Sequence, residues 1–135
     1  MAGLPDRRVV LDAGALIALA RGDIAARAAI RRAWKQDYEV VVPTPVVAQV
    51  HRGGWNRASM DRALKAVDVF LETSLETAMR AGVLLGRTRL TDAVDAIVVA
   101  EASGAPTTIV TSDPNDIGRL VDADEAGRDV YVEAV

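Results

Sequence analysis

The chain contains no cysteine. That single absence removes disulfides, thiolate metal sites and a cysteine nucleophile together, so any metal it binds is bound by oxygen. Aromatic residues are scarce at 4%, which leaves Ala, Val, Leu and Ile to build the core. No apolar run approaches the length of a membrane span. The opening "MAGLPDRRVVLDAG" carries charges where a signal peptide needs its apolar region. These features predict a soluble, cytoplasmic protein with no membrane association. There is also no excess of positive charge: the net charge is −3 and the pI near 5.1, so nothing draws nucleic-acid phosphates to the chain as a whole. This counts against a simple nucleic-acid-binding module. It does not count against an enzyme that gathers carboxylates around cations, because a bound cation reverses the local field. Repeats, linkers and low-complexity segments are missing too, and 135 residues suit one domain over residues 1–135.

What is present is an alternation of strands and helices. Val9–Leu11 is a short apolar run that stops at Asp12 and feeds a helix-forming "AGALIALA". Asp23 is placed to cap a helix from Ile24 to about Asp37, and "YEVVVP" follows as a β-branched strand. Thr44 as N-cap and Pro45 as first helical residue open the next helix, which Gly53 and Gly54 are expected to end. Asn56 to about Ala66 reads as helix and "VDVFLE" as a weak strand. A long amphipathic helix then starts near Ser74 and Thr77 and stops at Gly86 and Thr88. A helix opening at Thr91 and stopping at Gly104, a strand "PTTIVTSD", a short helix "PNDIGRLVD" and a last strand "DVYVEAV" complete the chain. Such alternation predicts an α/β protein with a central, mostly parallel sheet and helices on both faces.

In a sheet of that kind, ligands bind at the carboxyl ends of the strands. Asp12 and Asp113 both sit at strand ends. Asp92 and Asp95, three residues apart, share one face of a helix start, and Asp113 and Asp116 repeat that spacing. Taken singly, Asp12, Asp92, Asp113 and Asp116 are explained by helix capping or by the helix dipole. Asp95 is harder to explain that way. It lies about one turn into a helix, directly before "AIVVA", where a bare carboxylate facing the core is costly without a partner. Converging carboxylates repel one another unless a cation neutralises them. Oxygen-only clusters suit Mg²⁺ or Mn²⁺, whose chemistry is phosphodiester hydrolysis.

In order and spacing, "VVLDAGALIAL", "VPTPVVAQVHRGG", "DAVDAIVVAEA" and "IVTSDPNDI" resemble the acid-bearing segments of PIN-domain ribonucleases, most closely the VapC toxins of toxin–antitoxin pairs. The likeness spans nearly the whole chain. It implies a PIN-like three-layer α/β/α sandwich and a metal-dependent endoribonuclease that cuts tRNA, rRNA or mRNA to leave 3′-hydroxyl and 5′-phosphate ends. It also implies a VapB antitoxin as partner and a homodimer. Residue by residue, Asp12 stands at the first family acid, Asp95 at the third and Asp113 at the fourth, with Asp116 as the further acid of some members. These would hold one or two Mg²⁺ or Mn²⁺ ions.

The second family position, usually glutamate, falls on Gln49. Glutamine keeps the size and one acceptor oxygen but lacks the charge of a base or a strong ligand. Either the site is weakened, leaving a PIN-like RNA- or partner-binding module, or the charge is restored from elsewhere. Asp92, one turn from Asp95, is the expected substitute. Ser112, and with it Thr111, offers a hydroxyl near the site, although both also suit a strand end and a helix cap. His51, the only histidine, points away from Gln49 on a helix and is not expected in the site. Arg21, Arg52, Arg57, Arg87 and Arg89 are read as a solvated face, Trp34, Tyr38 and Tyr131 as too scattered for a stacking platform, and Trp55 as a minor partner anchor. A response-regulator receiver domain is the remaining rival. It requires a phosphoacceptor aspartate after the third strand and an adjacent acid pair after the first, for which "VVVPTP" offers nothing.

Overall fold

The computed structural model describes residues 7–53 and 56–135. The readings placed on Met1–Asp6, Gly54 and Trp55 therefore lie outside the described residues. Five strands, β1 (Arg8–Leu11), β2 (Val40–Pro43), β3 (Val69–Leu71), β4 (Thr107–Thr111) and β5 (Val130–Ala134), form one sheet in the order β3-β2-β1-β4-β5. All four pairings are parallel. Among the described residues, seven α-helices flank it: α1 (Ala13–Ala20), α2 (Ile24–Lys35), α3 (Thr44–Val50), α4 (Arg57–Leu64), α5 (Leu75–Thr88), α6 (Ala93–Ala102) and α7 (Pro114–Ala123). The predicted three-layer α/β/α sandwich is the one observed.

The chain builds β1, β2 and β3 outward in one direction, then jumps back to lay β4 on the other side of β1. The order reverses between β1 and β4, and open α/β sheets place ligands in the crevice at such a reversal. A receiver domain has the order 2-1-3-4-5; the observed topology excludes that rival.

The central strands are covered on both faces, which is why they read as continuous apolar runs. Every residue of β2 is buried, as are Val9, Val10 and Leu11 of β1 and all of β4. The outer strands β3 and β5 alternate between exposed and half-buried positions. Helix α6 is the most deeply set, with Ala96, Val98, Val99, Ala100 and Ala102 all buried. Its sequence is therefore apolar nearly all round, and Asp95 is conspicuous in it.

Several local expectations need correction. Pro43, not Thr44, is the N-cap of α3, and no side chain caps that helix. Helix α3 stops at Val50 with His51 as its C-cap, two residues before Gly53. Helix α2 ends at Lys35 rather than Asp37. Gly86 does not end α5 but lies inside it; Arg89 takes the left-handed conformation after Thr88, with φ 59°. The Thr88 hydroxyl donates to the Leu84 carbonyl at 2.9 Å, closing the last turn without glycine. Asp92 rather than Thr91 caps α6, and that helix ends at Ala102 before Gly104 is reached. Side-chain hydrogen bonds beyond the apolar pattern decide the α5 end and the α6 start, and helix ends shift by a residue or two.

Candidate active site

Three helices begin at the reversal point, and each is capped by an aspartate. Asp12 leaves β1 and accepts the Ala15 N–H at 2.8 Å. Asp113 leaves β4 and accepts the Asp116 N–H at 3.3 Å. Asp92 opens α6 and accepts the Asp95 N–H at 3.1 Å. The capping explanation is thus correct for all three. It does not exhaust them, because each cap uses only one oxygen of its carboxylate.

The parallel pairing of Leu11 with Val110 brings Asp12 beside Thr111. The Thr111 hydroxyl donates to Asp12 Oδ2 and accepts the Asp113 N–H at 2.9 Å, tying the two strand ends together. Asp12 is 3% exposed and forms the floor. Asp95 and Asp116 are half-buried, and Asp92 and Asp113 stand exposed at the rim.

The five acids act on one another electrostatically. Burial pushes the Asp12 carboxyl above its ordinary range; the Thr111 hydroxyl and the Ala15 N–H oppose the rise, and Asp113 and Asp92 add to it. Burial also lifts Asp95, and Asp92, Asp12, Asp113 and Asp116 repel its charge, raising its pKa to about 7. All the sequence-predicted acids thus meet in one region.

Gln49 sits on α3, which packs against both α1 and α6. Its Oε1 is buried and has no hydrogen-bond partner, an acceptor left open to a donor or a cation. Ser112 is exposed and lies over Gly14: a Cβ added there would fall 1.9 Å from Ser112 Oγ and 3.5 Å from Asp12 Oδ1. Glycine leaves room there for the Ser112 side chain, which lies against the α1 start. Thr111 is the residue whose part was underrated in the sequence. The available signal was a hydroxyl at the last position of a strand buried on both faces, two residues before Asp113.

The donor set is entirely oxygen, as Mg²⁺ and Mn²⁺ prefer. Among the described residues, no group of three or more His, Asp or Glu side chains is posed to grip one ion directly. Mg²⁺ keeps several waters and takes only one or two carboxylates, so a loose set of acids around Asp12 and Asp95 fits a hydrated ion. His51 is exposed at the end of α3. The groove of about 320 Å³ lined by Arg27, Arg31, Arg62 and Trp34 does not include these acids.

No family model matches the sequence, and no curated protein matches it. In three dimensions it is similar to a chain in the crystal structure of VapBC2 from Rickettsia felis, bound to a DNA fragment from their promoter. The match covers 94% of this chain and 98% of that one, with a TM-score of 0.67 at 15% identity. The resemblance of four short motifs and the likeness of the whole backbone agree on one architecture: this chain has the PIN-like fold, a three-layer α/β/α sandwich on a parallel sheet.

Proposed function

We propose that the chain, acting as one domain over residues 1–135, is a cytoplasmic metal-dependent endoribonuclease of the VapC kind, neutralised by a VapB-type antitoxin. The observation that carries the reading is the meeting of Asp12, Asp92, Asp95, Asp113 and Asp116 at the β1–β4 reversal, where burial and mutual repulsion call for a cation. The likeness to a VapBC assembly supports the partner.

In this reading Asp12, Asp95 and Asp113 hold Mg²⁺ or Mn²⁺, with Asp92 and Asp116 supplying further charge. Such an ion, when bound, provides Lewis acidity toward a phosphodiester and acidifies coordinated water. The chain fixes the site. Thr111 and the Ala15 N–H orient the Asp12 carboxylate, the α6 backbone carries Asp95 inward, and Asp92 keeps the charge at that helix start. Ser112 offers a hydroxyl at the exposed rim. The products are 3′-hydroxyl and 5′-phosphate ends, and no separate protein base is required.

The test is cleavage of a structured RNA with Mn²⁺, with and without EDTA, by the wild type and by Asp95→Asn. Cleavage that needs the ion and is lost in the variant supports the proposal; equal cleavage in EDTA overturns it. Gln49 favours a second reading. Without the charge of glutamate there, the chain would grip RNA or a partner without cutting. A gel shift with no change in RNA length would establish that reading.

A further inference from the structure

Among the described residues, two that are not glycine take a positive φ, Asp37 and Arg89. Aspartate is one of the residue types that tolerate the left-handed region, and Asp37 lies just past the end of α2. Arginine is not such a type. Arg89 nevertheless holds φ 59° and ψ 16° as the C-cap of α5, three residues ahead of Asp92.

Its surroundings hold this conformation from several sides. The Arg89 N–H donates to the Leu85 carbonyl at 2.8 Å. The Thr88 hydroxyl donates to the Leu84 carbonyl at 2.9 Å and accepts the Leu90 N–H at 3.2 Å. The Arg119 guanidinium donates to the Thr88 carbonyl at 2.7 Å. The Arg89 side chain takes part in none of these bonds, so glycine or asparagine would suit the same turn at lower cost. An unfavourable backbone that its neighbours over-determine points to function rather than to packing.

The side chain is exposed and, among the described residues, has no partner. The arginines around it are engaged: Arg80 with the Ala100 carbonyl and Asp124, Arg87 with the Ala123 carbonyl and Glu125, and Arg119 with the Thr88 carbonyl. Three residues of chain place Arg89 within about 11 Å of Asp92 even when fully extended, so a free cation stands near the rim of the acid cluster. Carboxylates repel the phosphates of a nucleic acid, and a net charge of −3 gives no general attraction to offset this. A cation fixed near the rim supplies the attraction locally, and phosphate contacts set the register of a bound strand.

We infer that Arg89 grips a backbone phosphate of the RNA next to the one presented to the acids, and so sets the position of the strand in the site. The inference takes its ligand from the nuclease reading above and adds a residue outside the acid motifs.

The test replaces Arg89 in the full chain by Gly, Asn and Lys. Gly and Asn suit the left-handed backbone but carry no charge, whereas Lys keeps both the charge and the strain. Binding is read by anisotropy of a labelled structured RNA in EDTA, where nothing is cut, at about 50 and 200 mM salt; kcat and KM are read with Mn²⁺. Arg89→Gly and Arg89→Asn are expected to melt at or above the wild-type temperature and to bind RNA roughly tenfold more weakly at the lower salt. They should also lose about one unit of salt slope and raise KM with kcat nearly unchanged. Arg89→Lys should stay within about threefold of the wild-type KM, since it keeps a point charge for phosphate. A melting temperature that falls in Arg89→Gly makes the arginine a structural part of the turn and overturns the inference. So does an Arg89→Gly protein with unchanged KM and salt slope, or a lysine variant as weak as the glycine one. In each of those cases a wild type that cuts RNA leaves the nuclease reading standing, whereas a wild type that neither binds nor cuts RNA removes both.

Discussion

The Thr111 hydroxyl donates to Asp12 Oδ2 while accepting the Asp113 N–H. One oxygen thereby joins the buried acid at the end of β1 to the exposed acid at the end of β4. The bond lies in the interior, beside a carboxylate that is 3% exposed, where hydrogen bonds to charged groups are worth most.

Thr111→Val keeps the shape of the side chain and deletes that bond. Asp12 is left with the Ala15 N–H alone, and its carboxyl rises further above the ordinary range. A loss of about 1.5–3 kcal/mol in urea unfolding is expected, with Thr111→Ser losing less than half as much. Equal stability of the valine variant and the wild type would show that the hydroxyl carries no such load.

Asp95 governs a pH effect. Its folded-state pKa of about 7 lies above the ordinary 3.8, so the folded chain holds this proton more tightly than the unfolded chain. The contribution to stability is complete below pH 3.8 and is lost as the pH rises to 7 and beyond. Asp12 acts in the same direction. Without divalent ions, wild-type melting temperature should fall relative to Asp95→Asn between pH 5 and 8, and Mg²⁺ or Mn²⁺ at pH 8 should close the gap. A difference between the two proteins that does not vary with pH contradicts this.

Asp92→Asn separates cap from charge, because asparagine caps helices as well as aspartate. Its melting temperature should match or exceed that of the wild type. Mn²⁺ affinity, measured calorimetrically, should weaken by roughly tenfold, and Gln49→Glu should recover part of it. If Asp92→Asn binds and cleaves normally while Gln49→Glu alters nothing, Asp92 has not replaced the missing glutamate.

Gly14→Ala should destabilise the fold even though alanine favours helix. Its methyl would overlap Ser112, with Cβ–Oγ at 1.9 Å and Cβ–Cβ at 3.0 Å. About 1–3 kcal/mol of overpacking is expected, most of it relieved in the double variant Gly14→Ala/Ser112→Gly. A single variant as stable as the wild type removes the argument for a close approach.

The fold was legible because β1, β2 and β4 are sealed on both faces and so spell out β-branched runs, while the helices between them carry plain caps at Asp23, Asn56 and Ser74. Helix ends were less legible. Thr91 and Asp92 are both competent caps, and only the bond from the Asp95 N–H chooses between them. Arg89 adopts a conformation expected of glycine because Thr88 closes the turn. The acids of the site could be read from their places after strands and at helix starts. The Thr111 bond could not, since it depends on a β1–β4 register that no local pattern encodes. The open Oε1 of Gln49 likewise exists only once α3 is packed between α1 and α6.

That register has a consequence for biogenesis. The Thr111–Asp12 bond closes across 99 positions of sequence, so a growing polypeptide has no assembled cluster until nearly all of it has emerged. Pairings between such distant segments form late. A truncated product stopping anywhere before β4 would lack Thr111, Asp113 and Asp116, so the cluster is complete only at the end of the chain's own synthesis.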